Sequence, residues 1–127
     1  MKTLYIIRGL PGSGKTTMAN ELVGHYAYCE ADQFFTSQDG SYHYDKEKIR
    51  EAHEWCKNQV KALMILNQYK IAVSNTFVKR WEIQPYVALA QQYGYRIVEI
   101  TMSGDTYANL HNVPEETIQR MKANWEK

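Results

Sequence analysis

The sequence predicts an α/β fold, a short parallel sheet of four to five strands held between layers of helices in a single domain spanning residues 1–127. Three observations carry this. Apolar, β-branched segments of strand length alternate with segments of helical period, in the order β-α-β-α-β-α-β-α. Helix-length crossovers separate the strands, as parallel neighbours require. A glycine-rich turn joins the first strand to the first helix.

Thr3 to Arg8 is β-branched and apolar and stops at Gly9, which marks a buried strand. Lys15 to Val23 carries helix formers and ends at Gly24, a good C-terminal stop. Tyr26 to Cys29 forms a short second strand that leads to Glu30-Ala31-Asp32. Residues 33–44 form a polar and aromatic loop with a turn at Asp39-Gly40. Asp45 caps a long helix running to about Gln68. Its apolar positions Ile49, Ala52, Cys56, Val60, Leu63 and Leu66 recur every three to four residues, so one face is buried.

Lys70 to Ser74 is the third strand. Trp81 to Tyr93 is an amphipathic helix with Pro85 in its first turn and Gly94 past its end. Tyr95 to Thr101 is the fourth strand, and Met102 to Val113 a loop. Pro114 opens a last helix with Ile118, Met121 and Trp125 on one stripe.

Bulk properties exclude several classes. A chain of 127 residues buries roughly two-thirds of its unfolded surface, enough for one proper core. No apolar run approaches the roughly 20 residues that span a bilayer. Met1-Lys2 leads straight into a strand, which leaves no room for a signal peptide. The net charge of +1 gives no whole-protein attraction for nucleic acid, although a local basic patch remains compatible with it. Cys29 and Cys56 are too few for a disulfide scaffold or a thiolate cage, which suits a reducing cytoplasm, a host's if a phage encodes the chain. Nothing in the sequence bears on oligomeric state.

The chemistry concentrates at Gly9 to Thr16. This segment fits G-x-x-x-x-G-K-[ST] at every position, follows an apolar strand and opens a helix, the context that confirms a phosphate loop. A triphosphate is a concentrated anion, best held by several backbone N–H groups aimed at one point. Glycines let the chain curl close to the oxygens, and the helix adds its positive end. The expected nucleotide-binding residues are Gly9, Pro11, Gly12, Ser13, Gly14, Lys15, Thr16 and Thr17. Lys15 reaches the β- and γ-phosphates, and the Thr16 hydroxyl takes a Mg²⁺ position. The ligand expected is ATP with Mg²⁺.

In open parallel sheets, ligands lie beyond the carboxyl ends of the strands. Asp32 lies just past the second strand on that edge and is the candidate general base; a turn-capping aspartate is the alternative. Ser74-Asn75-Thr76 ends the third strand, where many phosphate-loop enzymes carry an aspartate that supports Mg²⁺; here there is none. Asn75 and Thr76 are candidates to orient substrate or a metal-bound water, or to pin the following loop. Lys79 and Arg80 follow as candidate cations for the γ-phosphate, or as a solvated approach to a helix. Phe34, Phe35, Tyr42 and Tyr44 either tack their loop to the domain or stack on nucleobases, worth about 1–3 kcal/mol each. His53 lies near the buried stripe of the long helix and reads as a packing residue. Asn109, His111 and Asn112 fall in the loop before the last helix.

Taken together, IIRGLPGSGKTTMANEL, ADQFF, Asp39-Gly40, Tyr44, AHEWC, SNTF, WEIQPYVALA, GYRIVEI and HNVPEETIQRM resemble a group of small P-loop kinases. The group includes the kinase module of the mammalian Nedd-four-binding protein and phage proteins of the same AAA type. The 5′-hydroxyl polynucleotide kinases are its broader relatives. The resemblance covers nearly the whole chain. It implies a three-layer, kinase-type P-loop NTPase fold, ATP as donor, Lys15 and Thr16 as phosphate lysine and Mg²⁺ hydroxyl, and Asp32 as the base that activates a 5′-hydroxyl.

Three departures stand out. Ala31 and Gln33 replace an acidic residue and a tyrosine of the family, and Ser74-Asn75-Thr76-Phe77 replaces its DNT-N motif. Asn109-Leu110 stands where an arginine-asparagine pair, with the lid arginine, is usual. Lys79, Arg80 and Arg120 are the candidate substitutes for that arginine.

The expected function is transfer of the γ-phosphoryl of ATP to a hydroxyl, with the 5′-hydroxyl of RNA or DNA as the leading acceptor and a single-stranded 5′ end as the partner. The alternatives are a small-metabolite or nucleoside kinase, and a non-catalytic ATP-binding switch or interaction module.

Overall fold

The computed structural model describes residues 1–24, 26–102 and 113–127. The sequence positions Asn109, Leu110, His111 and Asn112, and most of the loop expected between Met102 and Val113, lie outside the described residues.

Four strands form one parallel sheet: β1 (Thr3–Arg8), β2 (Tyr28–Cys29), β3 (Lys70–Asn75) and β4 (Arg96–Thr101), in the order β2-β3-β1-β4. The main helices are α1 (Lys15–Val23), α2 (Ile49–Ile65), α3 (Gln84–Tyr93) and α4 (Glu115–Asn124). Because strand side chains alternate, each inner strand feeds two cores. Leu4 and Ile6 of β1 and Ile71 and Val73 of β3 pack with Ala52, Cys56, Val60 and Met64 of α2 and with Tyr86, Leu89 and Ala90 of α3. On the opposite face, Ile7 and Ala72 pack with Ala19, Met18 and Leu22 of α1. Burial raises the pKa of the Cys29 thiol to about 12 and that of Cys56 to about 11, so both are protonated core groups.

Several boundaries differ from the sequence reading, each for a local reason. β2 begins at Tyr28 because Tyr26 is almost fully exposed. Residues Ala31–Phe35 form a 3₁₀ turn where a loop was expected. Asp45 does cap, but it caps a 3₁₀ turn over Lys46–Lys48 by accepting from Glu47 N at 3.0 Å, and α2 starts after it. α2 ends at Ile65 instead of Gln68 because Asn67 adopts a left-handed conformation (φ 60°) and Gln68 N returns to Leu63 O. Leu66 is therefore exposed, and Met64 takes the core position that Leu66 was expected to fill; Ile49, at the other end of α2, is exposed as well. Arg80–Glu82 is a further 3₁₀ turn, which leaves Trp81 exposed and starts α3 at Gln84. Among the described residues, no helix is long and apolar enough to cross a membrane.

One buried cation ties the strand ends together. Arg8, last in β1, is 2% exposed. Its guanidinium donates to Phe77 O at 3.1 and 2.7 Å and to Glu126 O at 2.6 Å, and it stacks 4.4 Å from the Trp125 ring centroid. Phe77 is itself left-handed (φ 49°), so these bonds hold a strained carbonyl in place. Glu99 of β4 lies 3.9 Å from Arg8 and is gripped by Arg80 at 2.5 and 2.9 Å. The Arg80 hydrogen bonds hold the Glu99 carboxyl below its usual range. That contribution to stability is therefore present at neutral pH and is lost as pH falls through the folded-state value.

Arg8→Ala strands these carbonyl acceptors and is expected to cost about 3 kcal/mol, lowering Tm by roughly 10 °C. Thermal unfolding followed by circular dichroism checks this; a loss below about 1 kcal/mol would deny Arg8 its organising role.

Candidate active site

The chain leaves β1 toward one face through α1 and leaves β3 toward the other through α3. The carboxyl ends of β1 and β3 therefore bound a crevice, the position where open α/β sheets bind ligands. Gly9 N donates to Thr76 O at 3.4 Å and joins the two ends directly. A cavity of about 790 Å³ opens here, within the range of ligand pockets.

The loop from Gly9 to Gly14 forms one wall. Gly12 (φ 84°) and Gly14 (φ 91°) supply the left-handed turns that curl it. α1 starts at Lys15 and its first helical bond is Met18 N to Gly14 O at 3.0 Å, so the N–H groups of Lys15, Thr16 and Thr17 have no partner within the helix. Lys15 Nζ rests on Leu10 O at 3.1 Å. Desolvation lowers the Lys15 pKa, and the charges of Glu30 and Asp32 oppose that, so both carboxylates act on this ammonium. Ser13 Oγ is buried with no hydrogen-bond partner among the described residues. The loop is folded tightly enough that a Cβ on Gly9 would sit 2.3 Å from that oxygen.

Pro11, Gly12, Gly14, Lys15, Thr16 and Thr17 line the cavity, together with Asp32. Gly9 and Ser13, also expected to bind the nucleotide, are not among the described residues that line it. Asp32 is carried on the 3₁₀ turn Ala31–Phe35, whose start is fixed from β3: Asn75 Oδ1 accepts from Ala31 N at 2.9 Å. Gln33 locks the same turn by accepting from Glu30 N at 3.2 Å and donating to Tyr28 O at 3.3 Å. Tyr42 OH donates to Asp32 Oδ1 at 3.0 Å and fixes the carboxylate's orientation. Burial, and secondarily Asp32, raises the Tyr42 pKa, so the hydroxyl keeps the proton it donates.

The remaining sequence candidates separate. Asn75 and Thr76 line the cavity, although both the Asn75 amide and the Thr76 carbonyl already serve neighbouring backbone or core. Lys79 and Arg80 are not among the described residues that line it, and the Arg80 guanidinium is turned to Glu99. Arg120, on α4, does line it. His53 is exposed on the cavity side of α2, not packed in the core as the helical spacing suggested. The aromatics serve as loop packing: Phe35 is buried, meets Tyr42 and Tyr44 edge-on, and Tyr42 stacks on Tyr44 at 6.5 Å. Phe35, Tyr42 and Tyr44 also face the cavity.

Sequence reading missed one group. Glu30, just past β2, accepts from the Tyr28 hydroxyl, from Thr16 Oγ1 at 3.4 Å and from Ser74 Oγ at 3.5 Å. The signal lies across the sheet, not along the chain: the register Cys29↔Val73 makes Glu30 the neighbour of Ser74.

Gly9→Ala would press its methyl into the Ser13 hydroxyl and open the curl. Calorimetric titration with ATP is expected to show at least about tenfold weaker binding, roughly 1.4 kcal/mol, with Tm little changed. Unaltered affinity would mean that the loop does not hold the nucleotide.

Comparison with known proteins bears on the family and the fold. A family described as "AAA domain" matches residues 4–127. The human NEDD4-binding protein 2 is 32% identical over 98% of this chain, which spans only 8% of that protein's length. A chain of the Pnkp1/Rnl/Hen1 complex superposes with a TM-score of 0.62 at 20% identity, over 94% of this chain and 38% of that one. A mutant of the APS kinase CysC of Mycobacterium tuberculosis superposes with a TM-score of 0.56 at 13% identity, over 97% and 96%. At these identities the two structures share its fold. The chain belongs to the AAA-domain family and is a P-loop, kinase-like domain.

Proposed function

We propose that the chain transfers the γ-phosphoryl group of ATP to a hydroxyl, and that the acceptor is the 5′-hydroxyl of an RNA or DNA end. The observation that carries this reading is that Lys15 of the phosphate loop and Asp32 share one cavity. Phosphoryl transfer asks mainly for positioning and charge stabilisation. Backbone N–H groups at Gly12 to Thr17 hold the phosphates, and Lys15 Nζ exchanges Leu10 O for a phosphate oxygen. Asp32 accepts the acceptor's proton as its oxygen bonds the γ-phosphorus. The bond from that phosphorus to the β–γ bridging oxygen breaks, and ADP leaves. Of the candidate substitutes Lys79, Arg80 and Arg120, Arg120 is the one that lines the cavity, and it faces the charge that develops.

Thr16 Oγ1 beside the Glu30 carboxylate is an all-oxygen donor set, which suits Mg²⁺. The ion, when bound with ATP, neutralises charge on the β- and γ-phosphate oxygens. The Tyr42 and Tyr44 rings at the cavity favour an acceptor that carries a base.

The test is a panel of 5′-hydroxyl oligonucleotides, nucleosides and sugars incubated with γ-labelled ATP. Wild type is expected to label the oligonucleotides. Asp32→Asn is expected to lower kcat by about 10²–10⁴-fold while still binding ATP. Labelling confined to small molecules would overturn the nucleic-acid acceptor, and undiminished transfer by Asp32→Asn would remove Asp32 as the base.

A further inference from the structure

We propose that Glu30 supplies the carboxylate that holds the nucleotide's Mg²⁺ beside Thr16, a task for which the end of β3 offers Ser74 and Asn75 but no carboxylate. This rests on the nucleotide-binding reading above. Phosphate-loop enzymes commonly pair the loop's Ser or Thr hydroxyl with a strand-end aspartate on the ion. In this chain the end of β3 carries a fully buried hydroxyl, Ser74, instead of a carboxylate. The parallel register places Tyr28 opposite Ala72 and Cys29 opposite Val73, so the residue after β2 stands beside Ser74 across the sheet. That residue is Glu30.

The Glu30 carboxylate is oriented from three sides. Tyr28 OH, Thr16 Oγ1 and Ser74 Oγ all meet the same oxygen, Oε2. Tyr28 OH also lies 3.2 Å from Thr16 Oγ1 and 3.3 Å from Ser74 Oγ, which closes the cluster. The contact that matters is the one to Thr16, whose hydroxyl is the metal position of the loop. Asp32, the other carboxylate acting on Lys15, is held instead by Tyr42. The two carboxylates thus divide the work: Glu30 on the ion and Asp32 on the acceptor proton. Ser74 and Tyr28 position Glu30.

The experiment needs no turnover. ATP affinity is measured by calorimetry in EDTA, and Mn²⁺ affinity of the protein–ATP complex by electron paramagnetic resonance, for wild type and Glu30→Gln. Gln preserves the acceptor for Tyr28, so the fold should persist, which Tm checks. The expected result is metal-free ATP affinity equal to or higher than wild type, because a negative charge near the phosphates is gone. Mn²⁺ affinity should fall about 10–100-fold. Mn²⁺ affinity within about twofold of wild type, with ATP bound, would overturn the role of Glu30 alone. A parallel fall in metal-free ATP affinity would also overturn it, by showing that Glu30 shapes the pocket and does not hold the ion. Failure of the wild type to bind ATP in either medium would overturn the nucleotide reading itself.

Discussion

The side-by-side ending of β1 and β3 is the constraint on which everything else rests. Gly9 N meets Thr76 O, and one residue earlier the Arg8 guanidinium clasps the Phe77 carbonyl. These bonds fix where the phosphate loop begins relative to Ser74 and Asn75. From that one junction the loop curls over the crevice, Asn75 fixes the turn that carries Asp32, and Ser74 meets Glu30. The same arginine reaches Glu126 and Trp125 and so settles the segment after α4. Pro114, just before α4, and Thr117, Arg120 and Met121 within it line the cavity.

The site spends its polar groups in two tiers. Tyr28, Gln33, Tyr42, Ser74 and Asn75 bond to backbone or to other side chains and leave Lys15, Thr16, Glu30 and Asp32 positioned around a common space. A buried polar group left unpaired costs about 1–3 kcal/mol, so such a network is specific about geometry. Exceptions remain: Ser13 Oγ, in the glycine-rich loop, is buried and unpartnered among the described residues, as is Asn20 Oδ1 on α1.

Much of this was legible in the sequence because it rests on local physics. β1 and α1 fall at their expected residues, since a glycine ends the strand and the loop motif opens the helix. The curl of the glycine-rich loop, the place of Asp32 past β2 and the order of elements follow from the same pattern. What escaped was long-range or conformational. The end of α2 depended on Asn67 turning left-handed, which helical spacing does not register. His53 was read from its neighbours on the helix, whereas the cavity faces it from another element. Glu30 was hidden because a missing strand-end carboxylate was sought along β3, while the structure supplies one from the adjacent strand. The pull of Arg80 toward Glu99 likewise needed β4 in place beside β1.

The most direct measurement is a crystal structure of the chain with a non-hydrolysable ATP analogue and Mg²⁺. The account predicts the triphosphate wrapped by Gly9 to Thr17, with Lys15 Nζ released from Leu10 O onto a phosphate oxygen and the γ-phosphate facing Asp32 across the cavity. A triphosphate bound away from this loop, or Lys15 still resting on Leu10 with nucleotide present, would contradict it.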